Sequence, residues 1–214
     1  MKKSVYSLVL MDDIIRAVDE EAYRLGTSRS NLINQILAEH LSCITPEMRM
    51  NEIFSSIAGM INADFQIQQR RSDSLMTLRT ALEYKYRPTI NYKVELARSP
   101  DNYLGSLKVQ IRTQSMQFIS LFNNFFAGWI NMEKNSLSQL GLNDYCCGLD
   151  SGRFTRKLLY SKVLSDEETG EAIYSYIALL DKAVKLYFSN PQNFPAAAPQ
   201  IEREYNRLME HTII

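Results

Sequence analysis

The stretch SVYSLVLMDDIIRAVDEEAYRLGTSRSNLINQILAEHL, Ser4 to Leu41, begins with apolar residues at every second position and passes into a helical repeat. Tyr6, Leu8 and Leu10 fall on one side of an extended segment, and Val5, Ser7 and Val9 on the other. Period two is the signature of a strand with two distinct faces. The face with the larger groups is expected to be buried. Asp12 or Asp13 is expected to cap a helix, at the end where carboxylates suit the dipole. Ile14, Ile15, Val18, Ala22 and Leu25 make its apolar stripe, and Gly26 ends it. Ser28 suits the N-cap of a second helix, with Leu32, Ile33, Ile36, Leu37 and Leu41 as its stripe.

One strand and two short helices cannot bury these stripes. A chain of about 45 residues makes a marginal core, and a lone strand leaves its backbone donors and acceptors unpaired. The economical solution is a twofold dimer. Two strands pair antiparallel, and four helices close over their inner face.

Residues 2–42 resemble the ribbon-helix-helix (Arc/MetJ/CopG-like) family of DNA-binding proteins. The resemblance rests on the strand, the Leu10-Met11-Asp12-Asp13 entry, the apolar helix positions and the string GxSRSxLI from Gly26 to Ile33. It implies that the two-stranded ribbon lies in the DNA major groove with its outward side chains on base edges. It also implies that the start of the second helix grips a phosphate through open backbone N–H groups. On this sequence the base-facing residues are Val5, Ser7 and Val9. The phosphate anchor is Ser28, Arg29, Ser30 and Asn31, with Lys2 and Lys3 as a basic lead-in.

Two departures from the family's pattern keep a second reading open. Valine neither donates nor accepts a hydrogen bond, although it can meet a thymine methyl, and two of the three outward positions are valine. Residues 1–45 also carry five Lys or Arg against six Asp or Glu. The alternative is a protein-interaction module, antitoxin-like or a maintenance protein, that uses the ribbon mainly to dimerise.

The fold class expected for the whole chain is α+β and mostly helical. Residues 1–45 form the dimerisation and DNA-binding domain. Residues 46–214 form an effector or oligomerisation domain in which an antiparallel β-hairpin packs on aromatic-rich helices. Thr45 and Pro46 suit the start of a helix with Met50, Ile53, Phe54, Ile57, Ala58, Ile61 and Phe65 on one side. Residues 66–74 show no clear period and read as helix extension or loop. From Leu82 to Leu96 apolar residues fall on even positions, so a long strand is expected, bulged or turned at Pro88. Ser99-Pro100-Asp101-Asn102 is a turn, and Leu107, Val109 and Ile111 give the return strand.

The stripe Phe118, Ile119, Phe122, Phe125, Phe126, Trp129 and Ile130 is expected to cover the hairpin or to line a pocket for an apolar or aromatic effector. Residues 135–164 show no legible element, and a basic cluster there, Arg153, Arg156 and Lys157, is expected to be solvated. Ser165 to Glu168 reads as a capping box, and its helix is expected to stop at Asn190-Pro191. PQNFPAAAP is expected to be a stiff linker, with Pro199 opening a last helix. Between Arg70 and Arg112 nine Lys or Arg stand against four acids, which the alternation reads as the solvated face of the sheet.

The charge sums to zero, so nucleic-acid binding needs a local patch. Cys43, Cys146 and Cys147 are an odd set with two adjacent, a poor disulfide framework that points to a reducing, cytoplasmic compartment. With two histidines, neither a closed zinc site nor any other cofactor is expected. No phosphate-cradling glycine loop, nucleophile elbow or paired metal-ligand motif is present, and an enzyme is not expected. No transmembrane span is expected. The functional expectation is a bacterial-type homodimeric or higher-order transcriptional regulator, a repressor type included. Its partners would be DNA and a small-molecule or protein effector at the second domain.

Overall fold

The computed structural model describes residues 5, 7–83, 87–142, 147–161 and 163–214, without the side chains of residues 69–71. Lys2, Lys3, Ser4, Tyr6 and Cys146, all named above, lie outside this set, as do Tyr84 and Tyr86 of the strand expected from Leu82 to Leu96. The chain divides into two compact units, Met1–Arg49 and Met50–Ile214. Among the described residues it is α+β, with six helices and one six-stranded antiparallel sheet.

The first unit carries α1 (Asp12–Arg24) and α2 (Arg29–His40). α3 (Pro46–Met60) opens in the first unit, where the Thr45 hydroxyl caps the Met48 N–H, and runs on into the second. The second unit continues with strands β1 (Gln66–Ser72), β2 (Leu75–Ala81), β3 (Thr89–Leu96) and β4 (Tyr103–Ile111), then α4 (Met116–Gln139). A hairpin of β5 (Cys147–Asp150) and β6 (Arg153–Leu159) follows, then α5 (Asp166–Ser189) and α6 (Phe194–His211). The strand order is β1-β2-β3-β4-β6-β5, so the β5–β6 hairpin returns after α4 to pair with β4.

The expected β3–β4 hairpin is present, with Tyr92 opposite Val109 and Val94 opposite Leu107. It is the middle of a larger sheet. The single long strand expected from Leu82 to Leu96 is corrected. Its second half is β3, while the partner on the other side is Leu75–Ala81, which the alternation from Leu82 hides. Residues 66–72, expected as helix or loop, are the edge strand β1, with an irregular register between Gln68 and Ser72. Residues 147–159 supply two further strands. The expected linker is also corrected: α6 begins at Phe194, places Pro195 in its first turn and carries Pro199 inside. The capping box of Ser165 and Glu168 and the end of α5 at Ser189 stand as expected.

One face of the sheet is apolar. Met76, Leu78, Ile90, Tyr92, Val94, Leu107, Val109, Phe154 and Leu158 are buried in a single core with the helices. The aromatic stripe of α4 lies in that core, as expected, and Phe126 stacks on Phe154 of β6 with ring centroids 4.5 Å apart. α3 crosses α5 closely at Gly170, where an added Cβ would lie 2.6 Å from the Ile53 carbonyl oxygen.

Among the described residues, Glu133, Arg156 and Asp181 are charged side chains that sit inside. Arg156, expected to be solvated, points inward between Phe154 and Leu158 and is 0% exposed. Its Nε lies 3.1 Å from Oε1 of Glu133, also 0% exposed, on the inner face of α4. Its Nη2 donates to the main-chain oxygen of Ile214 at 2.6 Å, and its guanidinium lies 4.4 Å over the Tyr176 ring. A buried guanidinium survives only when a carboxylate and hydrogen bonds replace its water. Tyr205 stands beside this pair. Burial first, then the Glu133 carboxylate, pushes the phenols of Tyr176 and Tyr205 well above the ordinary range. Tyr92 donates to Asp181 at 3.0 Å, and burial raises its phenol as well.

Removing only the carboxylate strands the cation. Glu133→Gln should cost about 3–5 kcal/mol, whereas Glu133→Leu with Arg156→Met should cost much less. Urea unfolding of the three proteins tests this order. The raised phenols also set a pH response. A group whose folded pKa lies above its unfolded value contributes stability that is complete below the unfolded pKa and is lost as pH rises. Stability should therefore fall above pH ~10. Tyrosinate absorbance from these three residues should appear together with unfolding, not before it.

Candidate nucleic-acid interface

The first unit is built from two helices and the segment before them. Asp12 and Asp13, expected to cap α1, do not. The N-cap is instead Met11, extended at φ −67° and ψ 146° with no side-chain cap bond, and the two aspartates are the first helical residues. They still meet the positive end of the helix. Gly26 adopts φ 62° and closes α1 as expected. The Gly26 N–H donates to the Tyr23 oxygen at 3.2 Å and the Thr27 N–H to the Ala22 oxygen at 3.0 Å. This doubly bonded glycine end satisfies carbonyls that α1 would otherwise leave open. α2 ends in the same way. Cys43 N–H bonds the Ala38 oxygen at 2.8 Å, but the left-handed position is Ser42 at φ 53°, where a β-carbon costs energy.

The Ser28 hydroxyl accepts from the Asn31 N–H at 3.3 Å, which fixes the start of α2. The N–H groups of Arg29 and Ser30, in the first turn, have no partner among the described residues. Ser28, Arg29, Ser30 and Asn31 thus come together at one helix end. Arg29 also forms an ion pair with Asp19 of α1, its Nη2 donating to Oδ2 at 2.7 Å. No local pattern in the chain announces this pair, because the two residues lie on different helices.

Val5 and Ser7 to Met11 carry no strand assignment within one copy. Val5 is 101% exposed and Val9 102%, and Ser7 is exposed. Leu8 and Met11 are exposed too, although Leu8 is expected on a buried face. The helix stripes show the same deficit. Ala22, Leu32 and Ala38 are buried, while Ile14, Ile15, Leu25, Ile36, Leu37 and Leu41 remain exposed.

The second unit holds a groove of about 380 Å³ between α4, α5 and α6. Phe125, Trp129, Tyr187, Phe194 and Ile201 make its walls, with Asn124, Asn135 and Glu202 as polar lining. Two residues of the expected effector stripe, Phe125 and Trp129, therefore do meet a cavity. The Trp129 indole N–H is satisfied internally by the Tyr176 hydroxyl at 3.1 Å. Among the described residues no cluster of three or more His, Cys, Asp and Glu is placed to hold a metal, and no helix is long and apolar enough to cross a membrane.

No protein-family model matches the chain, and neither a curated protein nor a solved structure matches it.

Ser42 offers a direct check on the geometry of the α2 end. Ser42→Gly relieves the left-handed penalty while leaving the backbone bonds of the turn in place, and should stabilise the protein by about 1 kcal/mol. Chemical denaturation of the two proteins under equal conditions reads this difference.

Proposed function

We propose that the chain is a homodimeric, sequence-specific DNA-binding regulator of ribbon-helix-helix type, acting in the cytoplasm of a bacterial cell. The observation that carries this reading is the unsatisfied amino-terminal unit. Val5 and Ser7 to Val9, exposed and outside any strand of a single copy, precede two helices whose apolar stripes are largely exposed. A second copy supplies both deficits at once, a strand for the edge and two helices for the stripes.

In that dimer the paired segments present Val5, Ser7 and Val9 to base edges, and the first turn of α2 meets a phosphate. Ser7 supplies hydrogen bonding, and the valines contact thymine methyl groups. Arg29 contributes to the phosphate contact only by exchanging Asp19 for the phosphate. This exchange explains how a module with more acids than bases could still bind DNA. The groove between α4, α5 and α6 is the place where an apolar or aromatic effector would act, and no residue is assigned a catalytic role.

The second reading, a ribbon kept for dimerisation in a protein-interaction module, draws on the two outward valines and on the Arg29–Asp19 pair. Fluorescence anisotropy separates the two. The full chain should prefer DNA upstream of its own gene to a shuffled duplex. Ser7→Ala with Val9→Ala should alter that preference by about 1–3 kcal/mol for each base edge no longer read. Arg29→Ala should weaken binding to both duplexes alike, since a phosphate contact carries no sequence information. Absence of binding at low salt would leave the dimerisation reading.

The ion pair adds a test of opposite sign. Asp19→Asn releases Arg29 and should tighten binding to both duplexes about two- to five-fold, the ~0.5–1 kcal/mol that an exposed pair is worth. The same protein should show a melting temperature that rises with its concentration, because a second copy completes the fold.

A further inference from the structure

The face of the sheet opposite the core presents an unusual set of charges. Its outward positions include Arg79 on β2, Lys93 on β3, Lys108 on β4, and Arg153 and Lys157 on β6, with Arg112 just past β4. Against them stand Glu95 and Asp150. Glu95 is already taken by Lys108 at 2.6 Å. Lys93 lies directly opposite Lys108 in the β3–β4 register. Like charges placed so are destabilising in a sheet unless an anion lies between them.

A cleft of about 440 Å³ opens beside this pair. Among the described residues its lining, apart from Leu75, is polar and lacks any carboxylate: Gln68, Thr77, Asn91, Lys93, Gln110 and Arg112. The Lys93 and Arg112 side chains make no hydrogen bond or ion pair among the described residues. Asn91 forms part of the lining and is only 8% exposed, yet its Oδ1 has no hydrogen-bond partner. A buried amide with an open polar atom is costly, and it marks a place where a polar ligand completes the bonding. Turned about its last torsion, the same amide presents its N–H2 to an anion.

We infer that this outer sheet face binds the phosphodiester backbone of duplex DNA, with Lys93, Arg112 and Asn91 at its centre. The cations span four adjacent strands, about 14 Å at the usual strand spacing. That reach suits a row of phosphates rather than one small anion. No aromatic side chain of the described residues points outward within this cleft, so base stacking, the usual grip on single strands, has no platform here. Contacts of this kind position DNA and carry no sequence information. The site is separate from the ribbon and needs no particular placement of the two units.

The test uses the full chain and a random-sequence duplex, with anisotropy followed from about 50 to 200 mM salt. Lys93→Gln with Arg112→Gln should leave folding unchanged by circular dichroism, since neither side chain is in the core. The slope of log affinity against log salt should become shallower by about 0.9 for each phosphate no longer neutralised, hence by about 2 for each bound copy. An unchanged slope in the double variant overturns the inference. If that happens while Ser7→Ala with Val9→Ala still alters preference for the upstream duplex, the ribbon reading stands and the sheet face falls. If the double variant flattens the slope while the ribbon variant changes nothing, the ribbon reading falls and the sheet face stands. No binding of the wild-type chain at the lowest salt overturns both.

Discussion

A sheet with its helices on one side has to be two materials at once, and most of the larger unit follows from that. Every strand must alternate, because a shift by one residue would turn its apolar set into water. The inner set, running through Leu78, Tyr92, Val109 and Phe154, packs on the aromatic faces of α4 and α5. The outer set lies away from that core and is open to charge. Once the inner face is fixed, the cations at Lys93, Lys108, Arg153 and Lys157 are all delivered to the same side.

The amino-terminal unit obeys a different constraint. Its helices are closed by well-formed ends, at Gly26 and at Ser42, so local structure is satisfied within one copy. Its apolar area is not. Local bonding and burial are therefore decoupled: the chain can form the two helices alone but cannot hide their stripes alone. The proposed dimer is the arrangement in which both conditions are met.

How much of this can be read from the sequence varies with the kind of signal. The helices with strong caps and unbroken stripes, α4 and α5, are legible, as is the β3–β4 pairing. β1 is not, because QIQQRRS is an edge strand with a register irregularity, and Gln66, Ile67 and Gln68 are all exposed; without a packed face there is no alternation to see. β2 is masked by Leu82, which continues the even-numbered pattern while lying beyond the strand. The start of α6 reads as a linker because of its two prolines. Pro195 falls in the first turn, where its missing N–H costs nothing, and the alanines between favour helix. The candidate site is legible as a string of residues. The Arg29–Asp19 pair and the open Oδ1 of Asn91 are not, since both depend on side chains brought together by the fold. The buried Arg156 does carry a signal. It sits in phase with Phe154 and Leu158, and Glu133 sits in phase with Phe122, Phe126 and Trp129. A charge in register with an apolar stripe asks for an opposite charge in register with another.

The Arg156 contact to the main chain of Ile214 has a mechanical consequence. It ties β6 to the residues that follow α6, and Tyr205 of α6 lies against the same pair. Peeling α6 away would strip both from the guanidinium and admit water to a cation that is otherwise sealed. α6 and the residues just after it thus act as a stopper, not a fringe: α6 should leave only when the whole unit opens, so its backbone amides should exchange with solvent at the slow rate of the sheet.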